Sequence, residues 1–213
     1  MDIHAKTLAT IKEKQMIDAF TNNQIDLMFF DDKEALNNYL KDVLVNQKSV
    51  ALGGSMSLKE TGVFDLIYQS DVKVIDRYEE GLSREETMER FREGFSADLF
   101  FTSSNAITVD GCLYNIDGTG NRVAAMIFGP KEVYVIAGIN KIFDNEAEAI
   151  NHIKTVSAPA NAIRLNRKTP CAKTGRCMEC NSPDRICSSY VKLGYQSAAH
   201  RIKVLIIRES VGY

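Results

Sequence analysis

Cys171, Cys177, Cys180 and Cys187 fall within seventeen residues as a CxxxxxCxxCxxxxxxC run. Thiolates are soft ligands, and four of them close a tetrahedral site around zinc or hold an iron–sulfur cluster. The segment that carries them, PCAKTGRCMECNSPDRIC, contains Pro170, Gly175 and Pro183 and shows no apolar periodicity. It has little core of its own and depends on a crosslink or a metal for order. Only Cys177 and Cys180 make the CxxC knuckle that zinc sites usually present in pairs, and the uneven gaps suit a cluster loop better. An iron–sulfur cluster, 4Fe–4S by preference, is the first reading and structural zinc the alternative. Disulfides or free thiols rank behind, because five cysteines with no secretory signal point to a reducing compartment.

Other chemistry-bearing residues sit where an open α/β sheet binds ligands, beyond the carboxyl ends of strands, where glycine-bearing turns lead into helices. Gly53, Gly54 and Ser55 directly follow SVAL, and small residues there let backbone N–H groups approach an anion. A tight strand-to-helix turn is the plain alternative. The stretch TVDGCLYNIDGTGNRVA (108–124) holds the pairs Asp110-Gly111 and Asp117-Gly118, then Gly120, with Asn115, Asn121 and Arg122. Each Asp-Gly pair alone suits a hairpin turn. Together, ahead of a predicted helix start, they point to a ligand site in which Arg122 or the helix N-terminus meets a carboxylate or phosphate. Lys131 and Lys141, near the next strand, read individually as solvated charges, Cys112 as a structural thiol, and His4, His152 and His200 as scattered packing or surface residues.

Alternating strand-like and helix-like segments must position these groups. Residues 3–21 read as a loose helix and IDLMFF (25–30) as a short buried strand. Asp31 and Glu34 make a capping box ahead of an apolar face of Leu36, Tyr39, Leu40, Val43 and Leu44. SVALGG (49–54) predicts the next strand, with Ser57 and Glu60 as a second capping box. VKVID (72–76), DLFFTSS (98–104), CLYNI (112–116), EVYVIAG (132–138) and RIKVLII (201–207) read as further strands. Helices are predicted after a Ser83–Glu86 box, near 120–127 and near 144–155. This alternation predicts a mostly parallel sheet with helices on both faces, and the cysteine run is an excursion just before the last strand.

A chain of 213 residues with 45% hydrophobic content buries one sizeable core, which predicts a single domain over 1–213 that includes a cysteine-rich module at 168–190. A net charge of -2 leaves no electrostatic footprint for nucleic acid. The apolar run VYVIAGI (133–139) is too short to span a bilayer and MDIHAKTLATIKEKQ lacks a signal-peptide core, so no membrane association and a cytoplasmic location are expected.

Taken in order, GGSMSLKETGV, SSNAITVDGCLYNIDGTGNRVAAMIFGPKEVYVIAGINKI and APANAIRL followed by the cysteine run resemble the lactate-utilization family, the LUD domain, over nearly the whole chain. The resemblance implies the three-layer α/β/α, Rossmann-like sheet shared with CoA transferases, ribose-5-phosphate isomerase and glucosamine-6-phosphate deaminase. VALGGSMS is similar to the phosphate-binding turn of the isomerases, and DGTGNRVA to their later glycine-rich segment. Carried over, this places Gly53, Gly54 and Ser55 beside Asp110, Gly111, Asp117, Gly118 and Gly120 at the mouth of one cleft. Asn105, Asn121 and Arg122 complete the set expected to hold an anionic small molecule. The catalytic glutamate context of the CoA transferases has no match and the isomerase acid/base set is incomplete, so neither activity carries over.

Family members are linked to oxidation of L-lactate to pyruvate alongside iron–sulfur subunits. The resemblance therefore implies a redox-linked protein acting with iron–sulfur partners on lactate or a similar 2-hydroxy acid, its four clustered cysteines holding the cluster. The rival is a stand-alone small-molecule enzyme or sensor of the isomerase type with a zinc-braced loop. GTGNRV (118–123) lacks the dinucleotide fingerprint because Val123 stands where the third glycine belongs. Substrate, catalytic residues and assembly into a homo-oligomer stay open at this point.

Overall fold

The computed structural model describes residues 2–213. In chain order, α1 (Ile3–Asn22) leads into β1 (Asp26–Phe30), α2 (Lys33–Leu44) into β2 (Ser49–Leu52), and the short helices α3 (Met56–Glu60) and α4 (Val63–Tyr68) into β3 (Lys73–Ile75). Helix α5 (Arg84–Glu93) precedes β4 (Leu99–Thr102), and β5 (Ala106–Thr108) turns into β6 (Cys112–Asp117), followed by α6 (Asn121–Ile127) and β7 (Glu132–Gly138). Then come β8 (Ile142–Phe143), α7 (Glu146–His152), a π-helical turn (Ile153–Ser157), α8 (Ala158–Arg164), α9 (Pro170–Thr174), β9 (Ser189–Leu193) and β10 (Ile202–Ile207).

Six strands form an all-parallel sheet in the order β1-β10-β7-β4-β2-β3. Side chains alternate across a strand, so β7 sends Val133, Val135 and Ala137 into one core and Tyr134 and Ile136 into the other. Both faces are buried, which explains the nearly continuous apolar runs of β7 and β10. Helices α2, α3 and α4 cover one face with Leu36, Leu40, Leu58, Val63 and Ile67. The other face is covered by α1 and α6 through Met16, Phe20 and Met126, and by a second, mixed sheet in the order β8-β5-β6-β9. That sheet gives Ile107, Leu113 and Leu193 to the shared core, while Ala106, Tyr114 and Ile116 pack against Ala149, Ile153 and Ala158.

Several local readings change. Asp32, not Asp31, caps α2 by accepting the Ala35 N–H at 2.8 Å. Ser55, not Ser57, caps α3 through the Leu58 N–H at 3.3 Å, and Ser57, two residues further in, is buried. The Ser83–Glu86 box forms. CLYNI is a strand, but of the second sheet, because the Asp110-Gly111 turn folds it back antiparallel on β5, with Gly111 at φ +87°. Among the described residues no helix is long and apolar enough to cross a membrane.

Candidate functional site

The strand order of the parallel sheet reverses around β2: β3 lies on one side of it and β4, next in the chain, on the other. Loops that diverge from the carboxyl ends of such strands leave a crevice between them. Here it is a cavity of about 510 Å³. Its walls come from Gly54, Ser55 and Met56 after β2, Ser103 to Asn105 after β4, Ile116 to Thr119 at the end of β6, Asn121 and Arg122 of α6, and Lys141 after β7. The π-turn and α8 add Ser157, Ala158 and Asn161, and the cysteine segment adds Pro183 to Ile186, with Asp184 and Arg185 between them.

Gly54, Ser55, Asn105, Asp117, Gly118, Asn121 and Arg122 therefore share one cleft. Gly53 stands behind it. Its N–H donates to the Phe101 carbonyl at 2.8 Å, and an added Cβ would sit 2.6 Å from Thr102 Oγ1, so glycine is needed for β2 and β4 to close up here. Gly120 supports the turn, donating its N–H to Asp117 Oδ1 at 2.7 Å. Asp110 and Gly111 are not at the cleft. Their carbonyls accept from Asn23 Nδ2 at 3.3 and 3.0 Å, and the Asp110 carboxylate accepts from the Thr108 hydroxyl, which makes the pair a hairpin turn docked on the end of α1.

Arg122 lines the cleft but works inward. Its Nη1 donates to the Ser103 carbonyl at 2.9 Å and Asn115 Oδ1 at 2.7 Å, and its Nη2 to Asn105 Oδ1 at 3.2 Å and the Ile116 carbonyl at 2.9 Å. Its Nε stands 3.4 Å from Asp117 Oδ2. Four N–H donors meet protein oxygens and the fifth, on Nε, faces the Asp117 carboxylate, so the guanidinium ties β4, β6 and α6 together and points none of its Nη donors at a ligand. Burial and the nearby Arg77 push its pKa down while Asp117 pulls it back up.

Lys141, read from sequence as a solvated charge, is only 3% exposed. Its Nζ donates to Ser57 Oγ at 3.0 Å, Ser103 Oγ at 3.2 Å and the Ser104 carbonyl at 3.3 Å, with no carboxylate in contact. Burial, then Arg122, pushes the amine down to about 7, with Glu60 opposing. Sequence reasoning also missed Arg77, Arg84, Arg164, Arg167 and Arg185 of the wall. The available signal was position: Arg77 stands two residues after β3, at the carboxyl end of a parallel strand.

The cysteine segment leans on this cleft. An added Cβ at Gly118 would come within 3.2 Å of Ile186 Cα, and the Ser188 N–H donates to the Asp117 carbonyl at 2.9 Å. Behind it Cys171, Cys177, Cys180 and Cys187 line one small cavity with Ile153 and Tyr190. Cys177 Sγ accepts the Glu179 N–H at 3.4 Å, and Cys171 Sγ is 3.2 Å from Thr169 Oγ1. All four thiols are free, and among the described residues no group of three or more His, Cys, Asp or Glu is arranged to hold a metal ion. Cys112 is buried in the second sheet, where burial and then Asp110 push its thiol pKa up, away from nucleophile chemistry.

An open, parallel α/β sheet with a crevice at its switch point is the class these features define. The chain belongs to the LUD domain family, whose model matches residues 13–207, and it is to that extent a lactate-utilization-related protein. A DUF162 family protein from Deinococcus radiodurans, known from its crystal structure, superposes with a TM-score of 0.53 at 14% identity, over 94% of this chain and 98% of that one. That likeness shows the fold. No curated protein matches the chain.

Proposed function

We propose that this LUD-domain protein binds an anionic small molecule in the cleft and carries an iron–sulfur cluster on Cys171, Cys177, Cys180 and Cys187. In this reading it acts with iron–sulfur partner subunits in the oxidation of lactate or a similar 2-hydroxy acid to the 2-oxo acid. The observation that carries the proposal is the shared wall: Ile116, Ala158, Arg185 and Ile186 line both the cysteine cavity and the cleft. A soft four-thiol donor set, one of its sulfurs already accepting a backbone N–H, fits such a cluster. Only Cys177 and Cys180 make the CxxC knuckle that zinc sites usually present in pairs, which favours a cluster over zinc.

The cluster supplies one-electron transfer when bound, and because 2-hydroxy acid oxidation releases two electrons and two protons, a further acceptor is needed on the partner. The chain's own part is to hold the anionic ligand on cleft arginines that no carboxylate pairs, while the hydroxyl proton and the Cα hydrogen with its electron pair leave to the partner's acceptor.

Anaerobically purified protein is expected to be brown and to contain iron and sulfide. Cys180→Ser should abolish that metal content and Cys112→Ser should leave it unchanged. Full metal retention in the Cys180 variant, or a colourless zinc-loaded protein, would overturn the cluster assignment and favour the isomerase-like alternative.

A further inference from the structure

Seven cationic side chains line the cleft, against two carboxylates. Both carboxylates are already engaged, Asp117 with Arg122 at 3.4 Å and Asp184 with Arg167 at 3.0 Å. Among the described residues Arg77, Arg84, Arg164, Arg185 and Lys141 have no carboxylate in ion-pair contact, although the chain as a whole carries a net charge of -2. Like charges gathered in one crevice repel, and that cost is offset only when a polyanion enters.

The geometry leaves Arg77 and Arg164 with donors to spare. The Arg77 guanidinium rests on the rings of Tyr78 and Phe91, 5.1 and 4.5 Å from their centroids, which fixes it without using its donors. Arg164 is held through one acceptor, Asn161 Oδ1, at 2.7 and 3.0 Å. A second observation is independent of charge. Among the described residues six buried side-chain polar atoms lack a hydrogen-bond partner, and three of them, Ser157 Oγ, Arg185 Nε and Tyr213 OH, belong to cleft-lining residues. All three can donate, so the wall of the cleft carries donors that the protein itself leaves unsatisfied. Ser157 closes the π-helical turn, an irregularity that concentrates at functional sites.

We infer that the cleft takes a phosphate-bearing small molecule with at least two negative charges, larger than a three-carbon hydroxy acid. Planar guanidinium forks match phosphate oxygens bidentately, and phosphate groups offer the acceptors that the orphaned donors lack. A cavity of about 510 Å³ lies in the range that encloses a whole nucleotide-sized ligand, and lactate would leave most of it unfilled. The inference builds on the anion-binding half of the proposed function and is independent of the cluster.

Isothermal titration of the full chain with pyrophosphate, ADP and L-lactate tests it. Pyrophosphate and ADP should bind in the micromolar range, with affinity falling as salt rises, and lactate should bind about a hundredfold more weakly. Arg164→Ala and Arg77→Ala should each weaken pyrophosphate binding about tenfold while leaving the circular dichroism spectrum unchanged, and Lys12→Ala on the exposed face of α1 should change nothing. ADP binding more tightly than pyrophosphate supports a nucleotide, and equal affinities support a ligand held by its phosphates alone. Lactate binding as tightly as pyrophosphate, no heat from either phosphate compound, or unchanged affinity in both arginine variants would overturn the inference. Brown protein that binds no pyrophosphate refutes this inference and leaves the cluster standing; colourless protein that binds it does the reverse.

Discussion

Replacing Lys141 by Met is expected to make the ligand-free protein more stable below pH 7 and no more stable, or slightly less so, at pH 10. The amine is buried without a carboxylate, its pKa pushed from 10.5 down to about 7. Between those values the unfolded chain binds a proton that the folded chain has shed, so wild-type stability rises with pH across that window. The cost is full below pH 7 and is gone near pH 10.5. A displacement of this size corresponds to about 4–5 kcal/mol.

Met removes that cost and also the donor to Ser57 Oγ, Ser103 Oγ and the Ser104 carbonyl, which takes back about 1–3 kcal/mol. The charged or titratable groups acting on the site are Arg122, Glu60 and His152, and the His152 imidazole is itself pushed down by burial and then by Lys141. Urea unfolding of both proteins at pH 6, 8 and 10 measures the difference. A gap that stays constant with pH, or a wild type more stable than the variant at pH 6, would contradict the buried, carboxylate-free lysine.

That lysine also shows where the sequence is silent. Its partners Ser57 and Ser103 lie 84 and 38 residues away, and nothing in INK distinguishes a buried amine from a solvated one. The parallel strands were legible because burial on both faces leaves runs such as VYVIAG and KVLII, and the Ser83–Glu86 box because its bonds are local. The second sheet was not, since β5 and β8 have three and two residues and cannot display a period. Gly54, Ser55, Asp117, Gly118 and Arg122 were legible as candidates from their places after strands, and it was the family resemblance that joined such segments in one cleft. Asp110-Gly111 misled because one dipeptide serves both loops and hairpins. The arginine wall spans positions 77 to 185, and only the fold brings it together.

Arg122 carries the second large effect, and it separates two roles for one residue. As a ligand-binding charge, it should be replaceable by Lys with the fold intact. As the structure has it, the planar guanidinium serves the Ser103 and Ile116 carbonyls and the Asn105 and Asn115 side chains at once, beside the Asp117 carboxylate. A compact ammonium cannot reach all of them. Arg122→Met should therefore destabilise by about 3–5 kcal/mol, because Asp117 is left without its cation and buried acceptors lose their donors. The melting temperature should fall by roughly 6–20 °C for a chain of this size. Arg122→Lys should lose most of the same amount, and Asp117→Asn combined with Arg122→Met should recover part of it by removing the uncompensated carboxylate. Calorimetric melting of the three variants decides the matter: a wild-type melting temperature in Arg122→Lys would show that the fold needs only the charge, and would return Arg122 to the ligand.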